Sequence, residues 1–229
     1  INNGADKYRL VDVEQWGSIA WSSMVTAFCG CGNINITATD IPNLSNVNNM
    51  SSMFSYCYNL NGPTNINSWN TSSVTNMELV FYGNSVFNQP IGSWNTSAVT
   101  SMYRMFEFAH DFNQPVDSWN TSAVESMSFM FFYAVAFNQS LANWNLSSSP
   151  TLTDMLNTCG MDCANYSATL VGWNANSSTP NGLHLVYATM HYGTDAVAAR
   201  TNLITTKGWT ILGDTASGVA CLPMGIPSI

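Results

Sequence analysis

Charged side chains are scarce in this sequence. Of its 229 residues, 8% are charged, about a third of the usual share in a globular protein. Lysine and arginine are the rarest, because five of them face thirteen aspartates and glutamates, and the net charge is -8. So few cations cannot form the basic surface that binds nucleic-acid phosphates or anionic lipid headgroups. We therefore expect neither nucleic acid nor a membrane surface among the partners.

Long apolar runs are also missing. No stretch approaches the roughly 20 apolar residues that a transmembrane helix needs, so the sequence predicts no membrane span. The chain opens at Ile1 without methionine, which leads us to expect a mature or trimmed product. Residues 1–6 resemble the interior of a longer chain, so we also expect an upstream domain.

Recognisable catalytic and metal-binding motifs are also missing from the sequence. His110, His184 and His191 have no metal-ligand spacing to cysteines or carboxylates. The sequence has no G-x-S-x-G, no phosphate-binding P-loop and no G-x-G-x-x-G motif. Asp111 and Asp117 could pair as acid and base, but nothing in the sequence shapes a cleft between them. We expect no enzymatic activity, no metal and no cofactor.

An internal repeat dominates what is present. The tetrapeptide Trp-Asn-Thr-Ser begins at Trp69, Trp94 and Trp119, and a variant of it begins at Trp144, so the spacing is constant. The tripeptide Phe-Asn-Gln recurs with the same spacing, at Phe87, Phe112 and Phe137. The repeat is 25 residues long. Internal repeats of this length are typical of solenoids, in which each repeat buries its apolar face against its neighbours.

A second pattern places apolar residues at positions i, i+3, i+4 and i+7, which is one face of two helical turns. It starts at six places: Met24, Met50, Met77, Met102, Met127 and Leu152. The segment before it, such as Ile91 to Val99, has the spacing I-x-x-W-x-T-x-x-V, similar to the extended part of a leucine-rich repeat. We therefore predict one short strand and one short helix in each repeat.

The predicted fold class is an α/β repeat: a leucine-rich-repeat-like right-handed solenoid of about six repeats with an α/β C-terminal cap. Residues 1–21 are the lead-in strand and residues 22–159 the solenoid of 25–27-residue repeats. Residues 160–214 are the cap and residues 215–229 an apolar tail. Stacking is expected to form continuous core columns of Met, Phe, Trp and Val side chains.

Two helices and a strand are expected in the cap. Tyr166, Leu170 and Trp173 share one helical face. A second helix is predicted over residues 194–204, with the first of these as its N-cap. A short strand is predicted over residues 209–212, where it would add to the sheet.

One asparagine in each repeat is predicted to point outward. The next position holds Thr or Leu and so faces the core, and period-2 alternation then places the asparagine in solvent. This exposed Asn column consists of Asn43, Asn70, Asn95, Asn120 and Asn145. One interpretation is a ladder in which the side-chain amides hydrogen-bond from repeat to repeat. The other is a row of glycan acceptors.

Ten N-x-[ST] sequons occur in the sequence, and five of them form the exposed Asn column. Stacked strands lie only ~4.8 Å apart, so glycans on every member of that column would collide. Three sequons outside the column are the better candidates for N-glycosylation of a secreted eukaryotic protein: Asn35, Asn165 and Asn176. The abundant Ser and Thr leave O-linked sugar as a further option.

Six cysteines suggest an oxidising compartment. Cys31 and Cys57 occupy the same position of consecutive repeats, where the ~4.8 Å spacing suits a disulfide. Cys159 and Cys163 could close a small loop at the start of the cap. The remaining two could pair within one chain or between chains: Cys29 and Cys221. The alternative is that all six are reduced core residues.

The C-terminal tail is apolar, uncharged and interrupted by proline. An exposed apolar tail is a liability in water. It therefore either folds back over the cap or inserts into a neighbouring subunit as a donated strand. The side chains that would drive such assembly are Val219, Leu222, Met224, Ile226 and Ile229.

These units resemble a known family. Blocks such as FNQPIGSWNTSAVTSMYRMF are similar to BspA-like leucine-rich-repeat surface proteins, with the Mycoplasma-lipoprotein-type 25-residue repeats of the Bacteroidetes branch. The opening INNGADKYRLVDVEQWGSIAWSSM resembles the stretch that leads into the repeats. NYSATLVGW and ARTNLITTKGWTILGD resemble the family's C-terminal cap, so the similarity covers residues 1–214.

The resemblance implies a secreted or cell-surface protein, in a family whose members are often long and multidomain. A small immunoglobulin-like module commonly precedes the repeats in that family. Its known roles are adhesion and surface coating, and no catalytic residues belong to its pattern.

Two functions fit the sequence. The first is a non-enzymatic structural protein, a subunit of a surface layer or of a self-assembling fibre built as a head-to-tail homopolymer. The alternative is a cell-surface adhesion module that binds carbohydrate or a host protein through the sheet face. Ice binding through rows of Thr and Asn is a remote third.

Overall fold

A computed structural model of the protein describes residues 7–221. The regular elements, in chain order, are β1 (Asp12–Val13), β2 (Asn35–Ile36), a 3-10 helix (Ile66–Ser68), α1 (Cys163–Ala175), β3 (His184–Leu185), β4 (His191–Tyr192), α2 (Val197–Thr205), β5 (Thr210–Ile211) and β6 (Thr215–Ala216). The strands form three parallel pairs, β1 with β2, β3 with β5 and β4 with β6. Most of the chain before α1 is therefore held together without long strands or helices.

Parallel backbone bridges join each repeat to the next. The bridged pairs are Ala20–Asn43, Asn49–Asn76, Asn76–Ser101, Ser101–Ser126 and Ser126–Thr151. A single bridged residue per repeat takes the place of the predicted strand. The segment over residues 91–99 is not a continuous strand, because turns at residues 92–93 and 97–98 interrupt it.

Two consecutive turns replace the predicted helix of each repeat. In the repeat that starts at residue 102, the amides of Met105, Glu107 and Ala109 donate to carbonyls three residues earlier. The amides of Arg104 and Phe106 donate instead to carbonyls of the next repeat, at 3.1 and 2.9 Å. An α-helix would direct every amide to the carbonyl four residues back and leave none for the neighbouring repeat. The i, i+3, i+4, i+7 pattern thus arises from inward-facing turn positions.

The turns place two residues of each repeat in the left-handed backbone region. Arg104 and Phe108, with φ of 56° and 59°, show the pattern. The equivalent positions in the other repeats are Thr26, Gly30, Ser52, Tyr56, Leu79, Gly83, Phe129, Tyr133, Asp154 and Thr158. Left-handed backbone costs about 1 kcal/mol for a residue with a side chain. The conformation persists because it aims alternate amides at the next repeat.

Gly83→Ala is expected to lower the free energy of unfolding by about 1 kcal/mol, because alanine adopts a positive φ less readily than glycine. Gly83 has a φ of 66°, and an added methyl would lie 3.2 Å from Cδ1 of Tyr56. Urea denaturation measures the loss. Gly32→Ala is the matched control, since its methyl meets Tyr58 at an ordinary 3.6 Å and its φ is not positive. Equal losses in the two variants would contradict this explanation.

Two stacks of phenylalanine rings fill the interior of the repeats. The first stack has centroid spacings of 5.5, 5.9, 5.6 and 5.6 Å and contains Phe28, Phe54, Phe81, Phe106 and Phe131. The second has spacings of 5.8 and 6.0 Å and contains Phe87, Phe112 and Phe137. Rings of the two stacks face each other at 3.8–4.0 Å. The first apolar residue of all six repeats is buried too, which confirms the predicted core columns.

Buried tryptophans tie each repeat to the preceding one. The indole N–H groups of Trp94, Trp119 and Trp144 donate at 2.8–3.1 Å to the carbonyls of Ile66, Ile91 and Val116. Trp173 in α1 donates to the carbonyl of Leu141 at 2.9 Å. The helix therefore continues the tryptophan pattern of the repeats beyond the last of them. The predicted segment boundaries at residues 21, 159 and 214 stay predictions.

Helix α1 buries Tyr166, Leu170 and Trp173, which confirms the predicted helical face. It begins where Asp162 accepts a hydrogen bond from the amide of Asn165 at 2.8 Å, a typical N-cap. An acidic cap at a helix N-terminus is also favoured by the helix dipole.

Helix α2 begins at Val197, three residues later than the predicted N-cap. The amide of that residue, Thr194, donates to the carbonyl of Val219 instead. Strand β5 lies within the predicted strand over residues 209–212 and pairs with β3. Arg200 of α2 bonds both carboxylate oxygens of Asp214 at 2.7 Å. The second helix is therefore anchored to the segment that enters β6.

Candidate functional site

The turns present four side chains of each repeat on one surface. Counted from the first apolar residue of each turn segment, positions +3, +4 and +7 face the core. Positions +1, +2, +5 and +6 lie on the outside of the turns, and we call their combined area the turn surface. Its residues are the +1, +2, +5 and +6 members of the segments 25–30, 51–56, 78–83, 103–108, 128–133 and 153–158. Three of these side chains are buried within the surface: Ser55, Glu107 and Ser128.

Side-chain identity varies more on the turn surface than at the core positions beneath it. The core position +4 is phenylalanine in five of the six repeats. The next position, +5, holds six different residues: Cys29, Ser55, Tyr82, Glu107, Phe132 and Asn157. The backbone of the first five repeats donates alternate amides to the next repeat in the same way, so stacking does not require this variation.

Aromatic rings form a continuous network across the turn surface. Tyr82 contacts Tyr56 at 5.0 Å and Phe108 at 6.0 Å, and Phe108 contacts Phe132 at 5.7 Å. Further rings that join this network are Tyr58, Tyr103, Phe129 and Tyr133. Three of them, Tyr56, Tyr58 and Tyr133, are 41%, 51% and 42% exposed. Exposed aromatic patches of this kind mark interaction surfaces.

Arg104 lies in the middle of these rings. Its guanidinium sits 5.0 Å from the ring centroid of Tyr103 and 4.7 Å from that of Phe129. Its Nε donates to the Tyr103 hydroxyl at 2.6 Å and is 3.4 Å from Oε2 of Glu107. Cation–π contact and the ion pair hold the guanidinium in place.

Glu107 is buried beneath Arg104, with only 3% of its surface exposed. Apart from the ion pair, its Oε2 accepts no hydrogen bond from residues 7–221. Burial raises the pKa of Glu107 to about 7; the charge of Asp154 also raises it, while Arg104 lowers it. A hydrogen bond with Tyr56, together with burial, raises the pKa of Tyr82 to about 12.

A groove of about 410 Å³ opens on the turn surface beside Arg104. Its walls include the rings of Tyr56, Tyr82 and Tyr103 and the side chains of Ser52 and Ser55. This volume is within the range of small-ligand sites, ~300–1,000 Å³.

Sequence reasoning missed this surface because it treated the turn segments as helices. The residues between the core positions then formed an ordinary solvated helix face. One signal was available: at least one of positions +5 and +6 is aromatic in the repeats that start at residues 50, 77, 102 and 127. The groove itself follows from the turn geometry and has no counterpart in the residue pattern.

The exposed Asn column lies elsewhere on the repeats. Four of its members are exposed and Asn145 is half-buried. The side-chain oxygen of each accepts the amide N–H two residues further on, as in Asn95 and Ser97 at 3.0 Å. These contacts are within one repeat. The expected ladder of amides from repeat to repeat is therefore not formed by this column, because the oxygens close local turns instead.

The Phe-Asn-Gln tripeptides supply the ladder between repeats. The amide of Asn113 donates to Oδ1 of Asn88 at 3.0 Å, and the amide of Asn138 donates to Oδ1 of Asn113 at 2.9 Å. The side-chain amides of Gln114 and Gln139 add bonds to the same asparagines. The motif therefore has a structural role.

The glycosylation candidates differ in their surroundings. Asn35 is exposed in β2, and Asn176 is half-buried at the end of α1. The Nδ2 of Asn165 donates to the backbone carbonyl and to Oδ1 of Asn138 at 3.0 and 2.8 Å. A glycan would be attached to this nitrogen, so the structure argues against Asn165 as an acceptor.

The structure contains a disulfide between Cys163 and Cys221, with the two Cα atoms 5.6 Å apart. It differs from the predicted pairs Cys31–Cys57 and Cys159–Cys163, and it also excludes the suggested pairing of Cys29 with Cys221. Cys57 is a buried thiol that donates to the carbonyl of Phe28 at 3.1 Å, and Cys31 is a buried free thiol as well. The Sγ of Cys159 lies 3.9 Å from Sδ of Met190. Cys29 is free and half-buried in the groove wall.

Alkylation of the denatured protein before reduction is expected to label four thiols, and alkylation after reduction six. The reason is that Cys29, Cys31, Cys57 and Cys159 are free in the structure. Intact mass counts the labels, and peptide mapping of the unlabelled pair is expected to return Cys163 and Cys221. Six labels before reduction, or a different unlabelled pair, would contradict the observed disulfide.

The described part of the apolar tail packs on its own chain. Strand β6 pairs with β4, and the amide of Cys221 donates to Oδ2 of Asp195 at 3.0 Å. Val219 is 64% exposed. The other predicted assembly residues lie outside the described residues: Leu222, Met224, Ile226 and Ile229.

The remaining polar candidates form no recognisable centre. Among residues 7–221, no three His, Cys, Asp or Glu side chains are grouped to hold a metal ion. Asp117 accepts hydrogen bonds from the backbone and side-chain amides of Asn143 and so joins two repeats. No helix in that part of the chain has the length and apolar character to cross a bilayer.

The repeated turns, ring stacks and amide ladders define a protein built from short tandem repeats. The family described as "Mycoplasma protein of unknown function, DUF285" matches residues 22–116 and again residues 63–173. The chain belongs to this family. Comparisons with curated proteins and with solved structures found no match.

Proposed function

We propose that the protein is a non-enzymatic adhesion module that binds its ligand through the turn surface. The observation that carries this proposal is that the residues of the turn surface vary more from repeat to repeat than the core residues beneath them. Variable, aromatic-rich positions on a regular scaffold suit a recognition surface, because the few residues that dominate binding energy at interfaces are enriched in Trp, Tyr and Arg.

The proposal includes the fold class and the finer family assignment. We regard the chain as a leucine-rich-repeat-like right-handed solenoid of the BspA-like type. The parallel bridges and the ring stacks support this assignment, since both continue from repeat to repeat. Solenoids of this kind present extended surfaces suited to large ligands.

We also propose that the protein is secreted or displayed on a cell surface. A disulfide between Cys163 and Cys221 is typical of an oxidising compartment. The low charge also suits a protein whose surface is covered by Ser, Thr and Asn rather than by ions.

The turn surface replaces the sheet face as the proposed binding surface. The side-chain oxygens of the exposed Asn column are used in local turns, which leaves that column with less hydrogen-bonding capacity. The exposed rings and the groove lie on the turn surface instead.

Binding of the full chain to immobilised polysaccharides and extracellular-matrix proteins tests the proposal. The double variant Tyr56→Ser/Tyr133→Ser removes two exposed rings of the turn surface, and we expect it to lower apparent affinity about tenfold or more. The matched control, Asn70→Ser/Asn95→Ser, changes the exposed Asn column while keeping a side-chain oxygen in each turn. Loss of binding in the control alone would overturn the assignment to the turn surface. Failure of the unmodified chain to bind any probe would count against an adhesion module.

Self-assembly into a surface layer or fibre is a second candidate. It is favoured by exposed apolar side chains at the C-terminal end, where Leu212 and Val219 are 57% and 64% exposed. Sedimentation velocity over a range of concentrations is expected to show oligomers that Leu212→Ser/Val219→Ser abolishes. Monomers at every concentration would exclude assembly through these side chains.

A further inference from the structure

Arg104 is isolated from every other cation of the repeats. It is the only lysine or arginine between residues 10 and 199, in a chain with a net charge of -8. Its place on the turn surface is therefore unlike that of any other residue. An anionic ligand that approaches the repeats therefore has one lysine or arginine side chain to bind, that of Arg104.

The outer end of the Arg104 guanidinium has unused hydrogen-bond donors. Its Nε donates to Tyr103, while its Nη1 and Nη2 have no hydrogen-bond partner within residues 7–221. Arg200 provides the comparison, because both carboxylate oxygens of Asp214 accept from it. A guanidinium binds a carboxylate through two parallel N–H groups, so Arg104 is prepared for a second carboxylate.

Glu107 orients Arg104 without using this outer edge. Its carboxylate approaches Nε from the buried side, at 3.4 Å, whereas 31% of the arginine side chain is exposed. Burial also keeps a proton on part of the Glu107 population near neutral pH, because it raises the pKa of this carboxyl to about 7. The charge of Arg104 is thus only partly neutralised from below.

The groove beside Arg104 combines ring faces with hydroxyl groups. Tyr56 and Tyr82 meet at 87° and form a corner, and the half-buried Ser52 also lines the groove. Aromatic faces carry negative potential and attract the weakly positive C–H groups of a ligand. Hydroxyls bind groups that both donate and accept hydrogen bonds. The complementary ligand has C–H faces, hydroxyls and one carboxylate.

We infer that this groove binds a carboxylated saccharide, such as a uronic-acid residue of an acidic polysaccharide, with its carboxylate on Nη1 and Nη2 of Arg104. The sugar's C–H face lies in the corner formed by Tyr56 and Tyr82, and its hydroxyls face Ser52. This inference rests on the proposed function and names the ligand class for the same surface. A neutral sugar would leave the guanidinium unpaired, and a fatty acid would leave the hydroxyls unpaired.

Isothermal titration of the full chain with trigalacturonate tests the inference, with the fully methyl-esterified trisaccharide as the uncharged match. Arg104→Gln is expected to lower the affinity for trigalacturonate about tenfold or more, since a charged hydrogen-bonded pair is lost. The methyl ester is expected to bind the unmodified protein as weakly as trigalacturonate binds that variant. Arg104→Lys keeps the charge without the paired geometry and is expected to bind with intermediate affinity. Tyr187→Ser, at a tyrosine that is 60% exposed in the cap and lies outside the turn surface, is the control and is expected to bind normally.

Equal binding of the acid and its ester, or unchanged affinity in a folded Arg104→Gln variant, would overturn the inference. Thermal unfolding of each variant establishes that it is folded. Triglutamate that binds as tightly as trigalacturonate, and with the same dependence on Arg104, would replace the saccharide with an acidic protein segment. If trigalacturonate fails while a matrix protein still needs Tyr56 and Tyr133, the saccharide is wrong and the adhesion surface stands. If no probe binds, both are wrong.

Discussion

Phe106→Ala is expected to lower the free energy of unfolding by about 4 kcal/mol, the usual loss for a fully buried phenylalanine. Phe106 has no exposed surface. Its ring stacks on Phe81 and Phe131 at 5.6 Å each, and faces Phe112 at 4.0 Å. The substitution would leave a cavity between three consecutive repeats, and stacked repeats depend on such neighbour contacts for stability.

Urea denaturation followed by circular dichroism measures this loss. Phe106→Leu retains most of the volume and is expected to cost about 1 kcal/mol. Tyr133→Ala, at an aromatic residue that is 42% exposed, is the surface control and is expected to cost less than about 1 kcal/mol. A loss at Phe106 no larger than that at Tyr133 would show that the ring stack does not hold the repeats together.

Protein stability is expected to fall as the pH rises from about 4.5 to 8, and Glu107 is the reason. The folded chain raises the pKa of this carboxyl to about 7. Between the unfolded and folded pKa values the native state therefore binds more protons than the unfolded state. The stabilisation is fully present below the unfolded pKa and is lost as the pH rises through the folded one. A shift of this size corresponds to about 3 kcal/mol as an upper limit.

Glu107→Gln is expected to remove this pH dependence and to be more stable than the unmodified chain at pH 8. The groups that act on Glu107 are Arg104, Asp154 and Tyr82, and all three remain in the variant. Urea denaturation at pH 5, 6.5 and 8 measures the effect, with Glu125→Gln as an exposed control. Parallel pH profiles for the unmodified chain and Glu107→Gln would refute the assignment to this carboxyl.

The core of the repeats could be predicted from the sequence because a few residue types recur at its buried positions. Met, Phe and Trp at a constant spacing indicated which side chains pack together, and the structure buries them. The face of α1 was predictable for the same reason, since Tyr166, Leu170 and Trp173 follow helical spacing. Side-chain periodicity reports burial well in both cases.

The backbone of the repeats could not be predicted, because two successive turns and two helical turns present apolar residues at the same spacing. What separates them is the bonding of alternate amides to the next repeat, as at Arg104 and Phe106. Left-handed backbone at Thr26 or Phe108 has no sequence signature, since neither residue favours it. The residue types of these segments therefore do not distinguish successive turns from a helix.

The disulfide could not be predicted from the spacing of the cysteines either. Cys163 and Cys221 are 58 residues apart, and they meet only because β6 returns to β4 beside the start of α1. The pairing of Cys31 with Cys57 looked favourable because both occupy the same position of adjacent repeats. The structure uses that position for packed thiols instead.

The Cys163–Cys221 bond also determines how the molecule would respond to mechanical tension. A pull on the chain beyond Cys221 passes through the sulfur–sulfur link directly to the start of α1. The 58-residue segment that it closes carries no load and cannot be drawn out, which withholds roughly 200 Å of contour length. Stretching would therefore act first on the repeats, and reduction of this one bond would lengthen the protein's reach under force.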